Sequence, residues 1–156
     1  MRAHIRATRI GAVFYALWGI IHILGGATQL FTLRSHGPGA LTALIATASP
    51  PDPTTVTVPP AAAAFMGMGA WNILWIGLLV TIVAVTLNWR NDRLGYWLNL
   101  GVVLATDLGL LAALLLPGHM AWSDGLIGIV LFLLAAGFSA AGRSGRAPEL
   151  APAGAR

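Results

Sequence analysis

Four apolar stretches, each long enough to cross a bilayer, constrain this 156-residue chain more than any other feature. A membrane helix takes roughly 20 mostly apolar residues to cross about 30 Å of hydrocarbon. Residues 10–33, 61–89, 95–116 and 123–141 each qualify. Proline and glycine punctuate the runs: Pro59-Pro60 suit a helix N-terminus, Pro117-Gly118 stops the third run and Gly142 the fourth. The second run is about 45 Å long at 1.5 Å per residue, so its first turns are expected above the hydrocarbon. Composition agrees. With 57% hydrophobic and 9% charged residues, against about 25% charged in soluble domains, the chain cannot coat a water-soluble globule, nor is it disordered. The expected fold is an all-α integral membrane four-helix bundle, one domain over residues 1–142, followed by a flexible tail over 143–156.

Arginine orients the bundle. All nine basic residues are Arg: Arg2, Arg6, Arg9, Arg90, Arg93, Arg143, Arg146 and Arg156 fall on one side, and Arg34 alone on the other. This asymmetry predicts cytoplasmic termini. A cleavable signal peptide ending near Gly25-Gly26-Ala27 is the rival reading, disfavoured because the apolar run continues to Leu33. The Ala/Gly/Arg/Pro bias points to a bacterial inner (cell) membrane. Absence of Cys removes disulfides and thiolate chemistry. A net charge of +4 without a basic, aromatic-studded run argues against nucleic acid as a partner.

The Pro-rich segment 34–64 is the sizeable extramembrane piece and is expected on the outside. It reads as a connector, with residues 38–47 able to form a short interfacial helix that caps the bundle, and residues 54–58 extended. A weak repeat places Ala70-Trp71 and Ile76-Gly77 in the second run against Ala121-Trp122 and Ile127-Gly128 in the fourth.

Ionisable groups inside a span are costly and mark functional sites by default. His22 and Asp107 each lie about 12 residues into their spans, roughly 18 Å above the cytoplasmic edge, and Asn72 descends to a similar depth. Gly11, Tyr15, Trp18, His22, Gly25 and Gln29 recur at four-three-four-three-four, one face of the first helix. On the third, Tyr96, Val103, Asp107 and Leu114 share a face flanked by Asn99 and Thr106, while Gly101, Ala105 and Gly109 form a small-residue face opposite. His22 and Asp107 are the expected acid–base pair. Trp18, Asn72, Trp75, Tyr15, Gln29, Asn99 and Asp124 are the expected substrate-binding residues, with N-capping of the fourth helix the plainer role for Asp124. Interhelical glue is the rival role for His22. Trp89 and Trp97 fit one interfacial belt and Trp122 the other.

Bis-His haem lacks a second imidazole at the depth of His22, and no Glu-x-x-His or His-x-x-x-His pair offers a metal site. His36 and His119, both on the outer side, leave only a surface site as an option. No cofactor or metal is expected. The four-span layout resembles that of small bacterial membrane families such as the DoxX-like proteins, in topology alone, and carries no residue over. The expected function is a cofactor-independent membrane enzyme (isomerase, cyclase or epoxide-opening type) acting on a lipophilic small molecule. The alternatives are a non-catalytic accessory subunit or a small proton-coupled transporter. Expected partners are the lipid bilayer, the substrate and a possible homodimer.

Overall fold

The structure, a computed structural model, describes residues 2–144. Within them the chain is all-helical: α1 (Arg2–Ile45), α2 (Pro60–Thr86), a 3₁₀ turn (Asn88–Arg90), α3 (Arg93–Leu110) continued by a π-helical turn (Leu111–Leu115), and α4 (Trp122–Ser144). Four of these helices are long and apolar enough to cross a membrane. Residues 145–156 of the expected tail lie outside the described residues.

Helix boundaries exceed the apolar runs in α1 and α4. α1 runs on past Leu33 to Ile45, broken at Gly37, whose backbone (φ 84°, ψ 175°) only glycine adopts without strain. Pro38 follows and lacks the N–H that would continue the ladder. After this kink, residues 38–45 form the cap that the sequence allowed, extending across the loop end of the bundle. Leu41 is fully buried there. The Thr47 hydroxyl accepts the Ala121 N–H (3.0 Å) and the Ala48 N–H donates to the His119 carbonyl (3.4 Å), which ties the cap to the α3–α4 turn. Asp52 then organises the loop by accepting the backbone N–H and hydroxyl of Thr54.

Glycine decides which helices approach α1. A Cβ on Gly26 would stand 2.6 Å from the Leu74 nitrogen, and one on Gly77 would stand 2.6 Å from the Gly19 carbonyl, so α1 and α2 touch backbone to backbone. Gly11 and Gly142 do the same between α1 and α4, against Ser139 and Thr8. Where close packing replaces a hydrophobic driving force, small residues of this kind make the contact. α3 stands farther from α1, and large side chains fill the gap: Tyr15 and Trp18 from α1, Val80 and Ala84 from α2, Val103 from α3, Phe132 and Ala135 from α4. The buried face of α3 is Gly95, Asn99, Val103 and Asp107, spaced four apart. Asp92 caps this helix by accepting the Leu94 and Gly95 N–H groups.

At the arginine-rich end, Arg9 lies over the Trp89 ring and Arg143 over the Tyr96 ring. Trp97 and Trp122 are exposed at opposite ends, as interfacial aromatics are. Among the described residues the small-residue face of α3 has no neighbour: a Cβ on Gly101 or Gly109 meets nothing within 4 Å.

Candidate functional site

The polar-aromatic stripe of α1 turns inward. Trp18 is fully buried, and its indole N–H donates to Asp107 Oδ1 at 3.2 Å. One turn on, the His22 ring stacks on the Trp18 ring, with centroids 3.6 Å apart and planes 18° apart. His22 Nδ1 lies 2.8 Å from the Trp18 carbonyl. A carbonyl only accepts, so Nδ1 carries the proton and donates it there, leaving the Nε2 lone pair free. The sequence places His22 and Asp107 at one depth as a direct pair. The structure instead interposes an indole, with the imidazole on its face and the carboxylate on its N–H edge.

A glycine completes the arrangement. The Cβ position of Gly128 on α4 is 3.6 Å from His22 Cε1, 3.6 Å from Trp18 Nε1 and 3.9 Å from Asp107 Oδ1. One point in space is therefore at van der Waals distance from all three side chains, and no atom of α4 fills it. Asp107 is 3% exposed, and its Oδ2 is buried with no partner among the described residues. Any other residue at 128 would place a side-chain carbon at this shared point.

Gly128 also lines a cavity of about 230 Å³ in the half of the bundle nearer the loop. Ile21, Ile73, Leu110, Leu114 and Ile127 give it apolar walls, with Ile45 of the cap and Met120 also lining it. Leu110 belongs to α3 and Leu114 to its π-helical continuation. The π register shifts side chains relative to an α-helix and recurs at functional sites. Among the described residues the polar lining is His22, Gln29 and Asp124, with no arginine.

The expected site residues divide accordingly. His22, Gln29 and Asp124 line the cavity, and Trp18 and Asp107 stand behind it. Asp124 does not cap α4: it lies inside the first turn, and its Oδ1 accepts the Ser123 hydroxyl. Tyr15 is fully buried lower in the core, its hydroxyl without a partner among the described residues. Asn99 is buried too, but its amide donates to the Val80 carbonyl (3.2 Å), which makes it a tie between α3 and α2. Asn72 and Trp75 correct the sequence reading: both are exposed on α2, Trp75 by 49%. α2 spends its inner face on Ala70 and Gly77 against α1, and at 100° per residue this turns Asn72 and Trp75 away from the cavity. Gly128 and the pair Leu110/Leu114 were not singled out by sequence as site residues. For Gly128, its place in the Ile-Gly repeat with Gly77 was the available signal. Among the described residues, no group of three or more His, Asp or Glu converges as metal ligands would.

Comparison with known proteins returns nothing to set beside this geometry: no protein-family model, no curated protein and no solved structure matches the chain.

Proposed function

We propose that this chain is a membrane-embedded enzyme that moves a proton on a lipophilic small molecule held in the cavity beside His22, in a multi-pass position in a bacterial cell membrane. The observation that carries the reading is the fixed tautomer of His22, held by its Nδ1–H···O bond to Trp18, with Nε2 left free beside an apolar cavity. The Nε2 lone pair takes a proton from an acidic C–H or O–H of the substrate and returns it at another atom. No electron is gained or lost, so isomerisation, cyclisation and epoxide opening need no cofactor here. The imidazolium formed in between rests on the Trp18 face, a cation–π contact. Asp107, on the edge of the same indole, supplies a balancing negative charge through Trp18.

The test uses purified protein in nanodiscs and a panel of small unconjugated cyclic ketones and epoxides, followed by absorbance and chromatography. His22→Gln and Asp107→Asn are expected to lower turnover by about 10²-fold or more while membrane abundance and melting temperature hold. Loss of folded protein in proportion to activity would make the pair structural glue and overturn the reading.

One observation favours a second reading, in which the chain assembles with another membrane protein or itself. Gly101, Ala105 and Gly109 lie exposed on α3 with open space around the glycines, the surface by which helices in bilayers approach closely.

A further inference from the structure

The cavity is covered from the loop end yet reaches the surface sideways. Residues 38–45 and the α3–α4 turn lie over it, held by the Thr47 and Ala48 hydrogen bonds. α1 and α2 are sealed by the Gly26–Ala70/Leu74 contact, and α3 and α4 by Leu115, whose side chain fills the notch over Gly125 at 2.7 Å from a Cβ placed there. Between α1 and α4 the packing changes. These helices touch at Gly11 and Gly142, toward the arginine-rich end, but a Cβ on Gly25 meets nothing within 4 Å among the described residues. Across from Gly25, Ile127 and Asp124 line the cavity and are at once exposed, Ile127 by 58%. A residue that is both wall and surface marks an opening.

Resting on the acid–base reading above, we infer that substrate reaches His22 from the bilayer through a lateral portal between α1 and α4, and that it is a lipophile headed by a hydrogen-bond donor, a hydroxyl or an ammonium, received by Asp124. Position and charge carry this. Asp124 lies one turn above Gly128, about 6 Å along α4, so a head group on its carboxylate leaves carbons four or five bonds away beside Nε2. Its Oδ1 is taken by Ser123, which leaves Oδ2 for a ligand. Among the described residues no arginine lines the cavity to receive a carboxylate or phosphate, and an acid head would meet the like charge of Asp124. The volume of about 230 Å³ equals that of roughly eight waters in the liquid, which suits a molecule of about ten non-hydrogen atoms rather than a two-chain lipid.

The experiment photolyses the full chain in nanodiscs with three eight-carbon diazirine probes, an alcohol, an amine and an acid, and maps adducts by mass spectrometry. Alcohol and amine are expected to label peptides containing Ile21 and Ile127, and the acid at least tenfold less. Asp124→Asn is expected to cut amine labelling about tenfold, the worth of a charge-assisted hydrogen bond, and alcohol labelling less. Gly25→Leu, placed in open space and therefore expected to melt as wild type, is expected to lower labelling by both more than tenfold. Equal labelling by the acid, or labelling blocked by Ile45→Trp in the cap and indifferent to Gly25→Leu, would overturn the inference. Labelling does not need turnover, so His22→Gln separates the two claims. If it labels normally and turns substrate over at the wild-type rate, the portal stands and the acid–base reading falls. Turnover lost in His22→Gln, together with labelling indifferent to Gly25 and Asp124, has the opposite meaning.

Discussion

Replacing Gly128 with alanine separates a site from a packing contact. The added methyl would lie 3.6 Å from His22 Cε1 and Trp18 Nε1 and 3.9 Å from Asp107 Oδ1, all ordinary van der Waals distances, so nothing has to move. Alanine inside a helix is favoured over glycine by roughly 0.5–1 kcal/mol. At about 2–4 °C per kcal/mol for a chain of this size, Gly128→Ala is expected to melt between unchanged and about 4 °C higher. Gly26→Ala is the control. Its methyl would meet the Leu74 nitrogen at 2.6 Å and the Ala70 carbonyl at 2.8 Å, backbone atoms that yield only if α1 and α2 separate. Overpacking of that kind costs about 1–3 kcal/mol, a fall of roughly 2–12 °C. Activity should run the other way. The Gly128 methyl occupies the point shared by imidazole, indole and carboxylate and displaces a substrate atom by about 1 Å, for which a loss on the order of 10²-fold is expected. The assay is melting by circular dichroism in detergent beside turnover in nanodiscs. Full activity in Gly128→Ala, or a melting loss equal to that of Gly26→Ala, would refute the argument that this glycine keeps space for a ligand.

Trp18→Phe keeps a ring against His22 but deletes the N–H that Asp107 accepts, so turnover should fall at least tenfold, and a double variant with Asp107→Asn should fall little further; additive losses would disprove the coupling. Ala105→Leu, on the exposed face of α3, should leave melting of the single chain within about 0.5 kcal/mol of wild type while weakening any self-association seen by crosslinking in bilayers. A large melting loss in the monomer would show that this face is covered within the chain. In the loop, the Thr54 N–H and hydroxyl hold the Asp52 carboxyl below its ordinary value of 3.8. A depressed folded value means the turn is supported above the unfolded pKa and loses that support as pH falls through the folded one. Carbon-13 titration should show an Asp52 midpoint below 3.8, rising in Thr54→Val, and an unshifted wild-type midpoint would count against the turn.

Depth along a helix can be read from a sequence, and rotation and separation of helices only in part. The apolar runs determined four spans because hydrocarbon thickness sets a length. The four-three spacing from Gly11 to Gln29 determined the inward face of α1, because helical period converts spacing into direction. Equal residue counts into two parallel-running helices put His22 and Asp107 on one level. How far apart they stand on that level depends on how closely α1 and α3 approach, which glycine contacts with α2 and α4 decide and no single helix encodes. Trp18 fills the resulting gap, and so the expected pair became a stack and a hydrogen bond. The outward turn of Asn72 and Trp75 likewise follows from Gly77 seating against Gly19, a contact between two segments about sixty residues apart. The cap over the cavity needed Gly37 to break α1 and a hydroxyl at Thr47 to meet a backbone N–H at Ala121. Local chemistry made the break legible. The partner that gives it a use exists only once the fourth helix has returned to the first.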